Sequence, residues 1–294
     1  MTLSRRQIQP LITAALREDI GRGDITTRAV IPTRTRIRAT IVAKAPGIVA
    51  GTTIAQWVFQ TVDRRLRVTS ARRNGQRVRP GQVIMRLSGS AHGILAAERT
   101  ALNLLGHLSG IATLTRAFVD RVPSRVAILD TRKTLPGLRA LEKYAVRVGG
   151  GQNHRRGLDD AVLIKTNHLR ILARSREWKV ESGKFIEKAV AQAKRTHAGR
   201  FIEVEVTTLA ELKAALKARP HAILLDNWRA PAIRKAVALR THSSLSTHHS
   251  PLLEVSGGVT LENIRAIGRT GVERISIGRL THSAPALDVS LRIV

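Results

Sequence analysis

FIEVEVTTLAELKAALKARPHAILLDN, residues 201–227, contains a strand, a helix and a second strand with almost nothing between them. Ile202–Val206 alternates apolar and acidic residues, the period of a strand. TLAELKAALKAR then places leucines and alanines at helical spacing and stops before Pro220. Ala222–Leu225 is a short apolar run that ends in Asp226-Asn227. Links this short leave room only for parallel strands joined by a right-handed crossover.

The same unit recurs on both sides. Further strands are expected at Ala127–Leu129, Ala161–Ile164, Leu252–Val255 and Val272–Ile277. Helices are expected in GKFIEKAVAQAKRTH, APAIRKAVALRTH and TLENIRAIGRTG. A closed or nearly closed α/β barrel satisfies this alternation, with a doubly wound sheet as the other arrangement. The first part of the chain reads differently. It has a helix over residues 4–19, strands in RIRATIVAKAPGIVAG broken at Pro46-Gly47, and a helix in TTIAQWVFQTV. A small sheet turning at Asn74-Gly75 and Pro80-Gly81 follows, then a long helix from Ala91. This is an α+β module over residues 1–112, ahead of a barrel domain over residues 113–280.

Composition narrows the function. Lys and Arg number 50 against 21 Asp and Glu, a formal net charge of +29. Such a chain attracts polyanions at low salt. The cations are nevertheless scattered through every segment, and aromatics make up only 3% of the chain, too few for a base-stacking platform. Specific nucleic-acid binding is therefore not the expected function. There is no cysteine, which removes disulfides and thiolate metal sites. No long apolar run suggests a membrane span and no leader is visible in MTLSRRQIQPLITAALREDIG, so a cytoplasmic protein is expected.

In a barrel the loops after the strands form the site. Here the strands end in Asp130-Thr131-Arg132-Lys133, in Lys165, in Glu203 and Glu205, in Asp226, in Ser256-Gly257-Gly258, and in Ser276-Ile277-Gly278. Glu205 and Asp226 on neighbouring strands form an all-oxygen donor set suited to Mg²⁺ together with substrate phosphates. Glu203 shares a strand face with Glu205, and period alone does not separate their roles. The glycine loops at Ser256–Val259 and Ser276–Leu280 let backbone N–H groups approach a phosphate, and TLENIRAIG starts a helix just beyond the first. Arg132, Lys133, His154, Arg155 and Lys165 crowd cations at the same rim, which calls for an anionic substrate. Arg139, Lys143 and Arg147 recur every four residues and read as the solvent face of a helix that Gly149–Gly151 ends. His242, His248 and His249 in RTHSSLSTHHSP read as part of a surface loop.

These segments together resemble the quinolinate phosphoribosyltransferase family. The resemblance runs through EDIGRGDITT, AERTALNLLGHLSGIAT, DTRKTLPGLRALEKYAVRVGGGQNHRRGL, IKTNH, IEVEV, ILLDN, LEVSGGVTLENI and ISIGRLTHS. It implies an N-terminal α/β sandwich, an incomplete barrel of about seven strands, and a C-terminal segment, residues 281–294, that packs back toward the N-terminal domain. It implies at least a homodimer, with Arg99 reaching the neighbouring site. The implied reaction joins quinolinate to phosphoribosyl pyrophosphate with loss of CO₂, giving nicotinate mononucleotide and pyrophosphate for NAD biosynthesis. Quinolinate would meet Arg99, Thr131, Arg132, Lys133, His154, Arg155 and Lys165, with Lys133 also placed to meet the pyrophosphate. The phosphate would meet the two glycine loops, and Mg²⁺ would sit at Glu205 and Asp226. Lys133, Lys165, Glu205 and Asp226 are the expected catalytic set. Thr166 departs from the pattern, because the family usually has an Asp there. A related branch associated with molybdate transport departs from the IKxNH ending that this chain keeps. The other alternative, a nucleic-acid-binding protein on the same fold, rests on net charge and is opposed by Glu205 and Asp226 beside the cations.

Overall fold

The computed structural model describes residues 3–174, 184–242 and 250–294. It divides into two compact units. One comprises Met1–Arg116, Lys133–Gly151 and Arg279–Val294, and the other Ala117–Arg132 and Gln152–Gly278.

In chain order the first unit begins with α1 (Arg5–Ile20), α2 (Ile25–Val30), β1 (Arg36–Ala43) and β2 (Gly47–Ile48). It continues with α3 (Thr52–Val62), β3 (Arg67–Ser70), β4 (Arg77–Val78), β5 (Val83–Ser90) and α4 (Ala91–Val119). Ser4 starts α1 through a capping box with Gln7, and Asp24 caps α2 by accepting from the Thr27 amide. The second unit is built on β6 (Ala127–Leu129); the chain then gives α5 (Arg139–Val148) to the first unit and returns. It proceeds through β7 (Val162–Ile164), α6 (Thr166–Arg174), α7 (Phe185–Thr196), β8 (Ile202–Val206), α8 (Leu209–Ala218) and β9 (Ala222–Asp226). It closes with α9 (Ala230–His242), β10 (Leu252–Ser256), α10 (Ile264–Gly268) and β11 (Arg274–Ser276). Two last elements, α11 (Arg279–His282) and β12 (Val289–Ile293), belong to the first unit.

β12 adds to the edge of the antiparallel sheet β12-β1-β5-β3, with Leu291 opposite Ile41. The path of the chain into β12 depends on two glycines of α4. Leu287 donates its amide to the Gly106 carbonyl at 2.9 Å. A Cβ on Gly106 would stand 2.9 Å from the Leu287 oxygen, and one on Gly110 only 2.0 Å from the Pro285 oxygen. The backbone of 285–287 therefore lies in a groove that only glycine leaves open. On α5, Glu142 accepts from the Nε2 of His107 at 3.0 Å and from the Leu135 amide at 3.3 Å. This corrects the expectation for that helix: Lys143 is 4% exposed and Glu142 not at all, so the four-residue charge spacing runs along a packed face.

Among the described residues the second unit holds one parallel sheet, β6-β11-β10-β9-β8-β7. Six strands are present where the resemblance suggested about seven, and Gln152 adds a single parallel bridge beside Leu129 of β6. α8 shows why residues 201–227 fold as they do. Thr208 and Glu211 form a capping box at its start, and Arg219 turns left-handed (φ 50°) at its end. β8 is buried at all five positions. Its valines and isoleucine lie on one face, and Glu203 and Glu205 on the other, inside the curl of the sheet. Position along each strand sets the interior in two levels. Glu203, Glu254 and Arg274 lie earlier in β8, β10 and β11, while Glu205, Asp226, Ser256 and Ser276 stand at or next to the C-terminal strand ends.

A Gly110→Ala substitution should lower stability by about 1–3 kcal/mol, because both obstructing groups are backbone. Equilibrium urea unfolding checks this, and an unchanged midpoint would show that the 285–287 segment yields freely.

Candidate active site

The lower level of the sheet interior is a closed charge network. His154 follows the Gln152 bridge, and its loop is held by Asp130, which accepts from the Asn153 side chain at 2.6 Å and the His154 amide at 2.9 Å. The His154 Nε2 lies 2.8 Å from Glu203 and 3.5 Å from Glu254. Arg274 holds the other oxygen of Glu254 at 2.7 Å and lies over the Phe201 ring at 5.2 Å. The backbone N–H of Arg155 donates to the His154 Nδ1 at 2.8 Å. That bond requires a lone pair on Nδ1, so the neutral ring carries its proton on Nε2, aimed at Glu203. Burial disfavours the imidazolium, but the Glu203 hydrogen bond and the charges of Glu254 and Glu203 outweigh it and raise the His154 pKa. The cation forms only by giving up the Arg155 amide. Glu254 is pushed up by burial and by Glu203. Oε1 of Glu203 and Oε1 of Glu254 have no hydrogen-bond partner, so the imidazole N–H bonds Glu203 and acts on Glu254 through its charge alone.

The rim above is more open. Glu205 is 9% exposed and receives the Lys165 ammonium at 3.1 Å, the Thr166 amide at 3.1 Å and the Thr166 hydroxyl at 2.7 Å. Burial works against its charge, but the Thr166 donors and then Lys165 prevail and hold the carboxyl below its usual range. Glu205 thus also serves as the acceptor at the start of α6. Asp226 ends β9 opposite Ser256 and accepts from the Asn227 side chain at 3.0 Å. Asn227 turns left-handed (φ 61°), its amide donating to the Ser256 carbonyl at 2.8 Å. A Cβ on Gly257, itself at φ 85°, would meet the Asn227 Oδ1 at 2.2 Å. The acid-bearing turn and the glycine loop therefore fit only with glycine between them. Asn263 closes that loop by donating to the Gly258 carbonyl and accepting from the Thr260 amide. α10 spans only Ile264–Gly268, so anion binding there falls to loop amides rather than to a helix dipole. On the opposite side of the sheet, Arg155 is anchored by Nη1 to the Ala161 carbonyl at 3.1 Å. Burial and the nearby Arg132 both lower its pKa. Two guanidinium groups that repel each other make a receptor for an anion.

The pattern of glycine loops, paired acids and paired guanidiniums on consecutive strand ends can be set against known proteins. Family models for quinolinate phosphoribosyl transferase match residues 24–109 (N-terminal domain) and 111–292 (C-terminal domain). This chain belongs to the quinolinate phosphoribosyltransferase family. It is 42% identical over 284 residues to the nicotinate-nucleotide pyrophosphorylase (carboxylating) of Mycobacterium leprae, covering 95% of each chain. A probable enzyme of the same name from Bacillus subtilis is 39% identical over 294 residues, covering 99% of this chain and 95% of that one. The crystal structure of NadC from Streptococcus pyogenes superposes with a TM-score of 0.89 at 35% identity, covering 100% of this chain and 99% of the other.

Of the residues expected from sequence, the second unit carries Thr131, Arg132, His154, Arg155, Lys165, Glu205, Asp226, Ser256–Gly258 and Ser276–Gly278, all at or beyond the C-terminal ends of its strands. Arg99 and Lys133 belong to the first unit. Arg99 is exposed on α4, where its charge offsets part of the upward shift that burial gives Glu98. The carbonyl of Lys133 accepts the Thr281 hydroxyl at 2.6 Å. His154 is placed with both ring nitrogens engaged below the rim, and Glu203 is separated from Glu205 by level. Sequence reasoning counted Asp130 and Glu254 among the polar strand endings without giving either a role, and it missed Arg274, whose signal was a charged residue inside an apolar strand. His242 ends α9, whereas His248 and His249 lie outside the described residues.

Replacing His154 by Leu removes the one donor between two buried carboxylates and should cost about 3–5 kcal/mol. The His154 pKa is raised in the folded state, so its contribution is present below the ordinary imidazole range and is lost as pH rises through the raised value. The penalty should therefore be larger at about pH 5 than at about pH 8 in urea unfolding, and an equal penalty would argue against a shared charge network.

Proposed function

We propose that this chain catalyses phosphoribosyl transfer from phosphoribosyl pyrophosphate to quinolinate with decarboxylation, yielding nicotinate mononucleotide, pyrophosphate and CO₂ in NAD biosynthesis. Family membership supports the reaction, and the observation that carries it at the residue level is the Arg132–Arg155 pair. Burial and the nearby Arg132 both work against the charge of Arg155, and quinolinate is a dianion. Lys165 adds a point charge at the same rim. Lys133 is assigned to quinolinate or to the departing pyrophosphate. Arg99 is assigned to the site of a neighbouring copy, which makes the working form a homodimer or a higher homo-oligomer. His154 acts here through its hold on the Arg155 amide.

The loops Ser256–Gly258 and Ser276–Gly278 are assigned to the 5′-phosphate of the donor. Glu205 and Asp226 are hard oxygen ligands on adjacent strands, and the chemistry of the pair fits Mg²⁺. Bound there, the ion would neutralise charge on the leaving pyrophosphate. Chemistry then needs no protein nucleophile. The quinolinate nitrogen attacks the ribose C1 as the bond to pyrophosphate breaks, and carboxylates near C1 favour the positive charge that develops. The resulting pyridinium withdraws electrons from C2, CO₂ leaves, and C2 takes up a proton. Holding the two anions in line supplies most of the acceleration.

Incubation of the purified chain with quinolinate, phosphoribosyl pyrophosphate and Mg²⁺ should release nicotinate mononucleotide, and no product would sink the assignment. Thr166 gives a second test. Its hydroxyl helps keep Glu205 ionised, so the contribution of that carboxylate is present above the ordinary carboxylate range and lost as pH falls through its depressed pKa. In Thr166→Val the pKa rises, and the acid limb of kcat/KM should move to higher pH. An unmoved limb would mean that Glu205 does not govern it.

A further inference from the structure

The arginines that look scattered in the sequence are gathered by the antiparallel sheet of the first unit. In β1, β3 and β5 one set of alternate residues is buried, with Ala39, Ile41, Val68, Met85 and Leu87 all below a tenth exposed. The other set is polar from Arg36 to Thr40, from Arg67 to Thr69 and from Arg86 to Ser90, and is apolar and buried at Val42 and Ile84. Registry places Arg86 opposite both Thr40 and Thr69, Arg38 opposite Ser88, Ser88 opposite Arg67, Arg36 opposite Ser90, and Arg292 opposite Thr40. Arg36, Arg38, Arg67, Arg86 and Arg292 thus share one face, and each is exposed. The strand sequences RIRATIVA, RVTS, VIMRLSGS and VSLRI contain no Asp or Glu. Asp63, at the end of α3, is close enough to Arg36 to feel its charge, and it is already bound by Arg65.

From this face we infer that the protein has a second binding surface, one that takes the phosphate backbone of a nucleic-acid duplex without reading its sequence. Every cation on it is arginine, whose planar and weakly hydrated fork suits phosphate oxygens. Arginines two apart on a strand stand about 6–7 Å apart, and neighbouring strands about 4.8 Å, a rigid grid of positive charge. Threonine and serine hydroxyls fill the places between them as further donors. No aromatic residue lies in these four strands, so stacking on single-stranded bases is not part of the surface. This interaction is independent of the catalytic reading, because none of its residues belongs to the proposed catalytic site.

The test compares two variants that lose the same charge. One replaces Arg36, Arg38, Arg67, Arg86 and Arg292 by Ser. The other replaces Arg6, Arg17, Arg234, Arg265 and Arg269, also exposed, by Ser. Binding to a labelled mixed-sequence DNA duplex is followed by anisotropy across a salt series, with turnover of both variants as the measure of folding. The sheet-face variant should lose at least about tenfold in affinity, and its slope of log affinity against log salt should be shallower by about 4. The other variant should stay within about 1 of the wild-type slope. Equal losses in both would mean diffuse attraction by net charge and would overturn the inference. So would tighter wild-type binding to phosphatidylserine vesicles than to the duplex. If the five-fold variant loses turnover, Arg38→Gln with Arg86→Gln replaces it, with a proportionate loss expected.

Discussion

Two buried glutamates face each other across the inside of a parallel sheet, and much of the second unit is organised around keeping them there. Glu203 and Glu254 are 1% and 0% exposed, a placement that is costly for carboxylates unless it is compensated. Compensation comes from both sides. Arg274 arrives on the neighbouring strand, in register with Glu254, and His154 arrives in the loop beside β6. That loop follows the Gln152 bridge beside Leu129 and is fixed by Asp130.

The network carries upward to the rim. His154 directs its Nε2 proton at Glu203 and gives its Nδ1 lone pair to the Arg155 amide, so the backbone of Arg155 is tied to the buried charge balance. On the other flank, Glu205 connects β8 to the start of α6 through Lys165 and Thr166. A hydroxyl donates to Glu205 where the family usually has a second acid. Thr166 therefore gives the rim one less negative charge and gives Glu205 one more donor. Both effects favour an ionised Glu205.

The strand–helix alternation, the strand ends and the glycine loops were legible in the sequence, because short parallel strands and βα loops leave local signatures. What was not legible depended on pairing. Glu203 and Glu205 have the same spacing signal, and only tertiary contacts put one beside His154 and the other on Lys165 and Thr166. Lys143 lies at a spacing that suits a solvent face, but its helix packs through Glu142 on His107, a contact 35 residues away in the chain. Gly106 and Gly110 carry no local signal of the 285–287 backbone that lies in the groove they open. The arginine face was hidden for the same reason, since its members come from four strands spread from residue 36 to residue 292.

Net charge and site charge also act on different scales. A formal +29 draws small polyanions toward the molecule from every side, but exposed charges are screened beyond about 8 Å at physiological salt. That field can raise encounter rates without choosing where an anion settles. Choice requires cations held in a fixed array, with or without acids among them. The rim has that character where Lys165 is set against the largely buried Glu205. The sheet face has cations without acids. One protein therefore presents two kinds of positive surface, and the carboxylates rather than the arginines distinguish them.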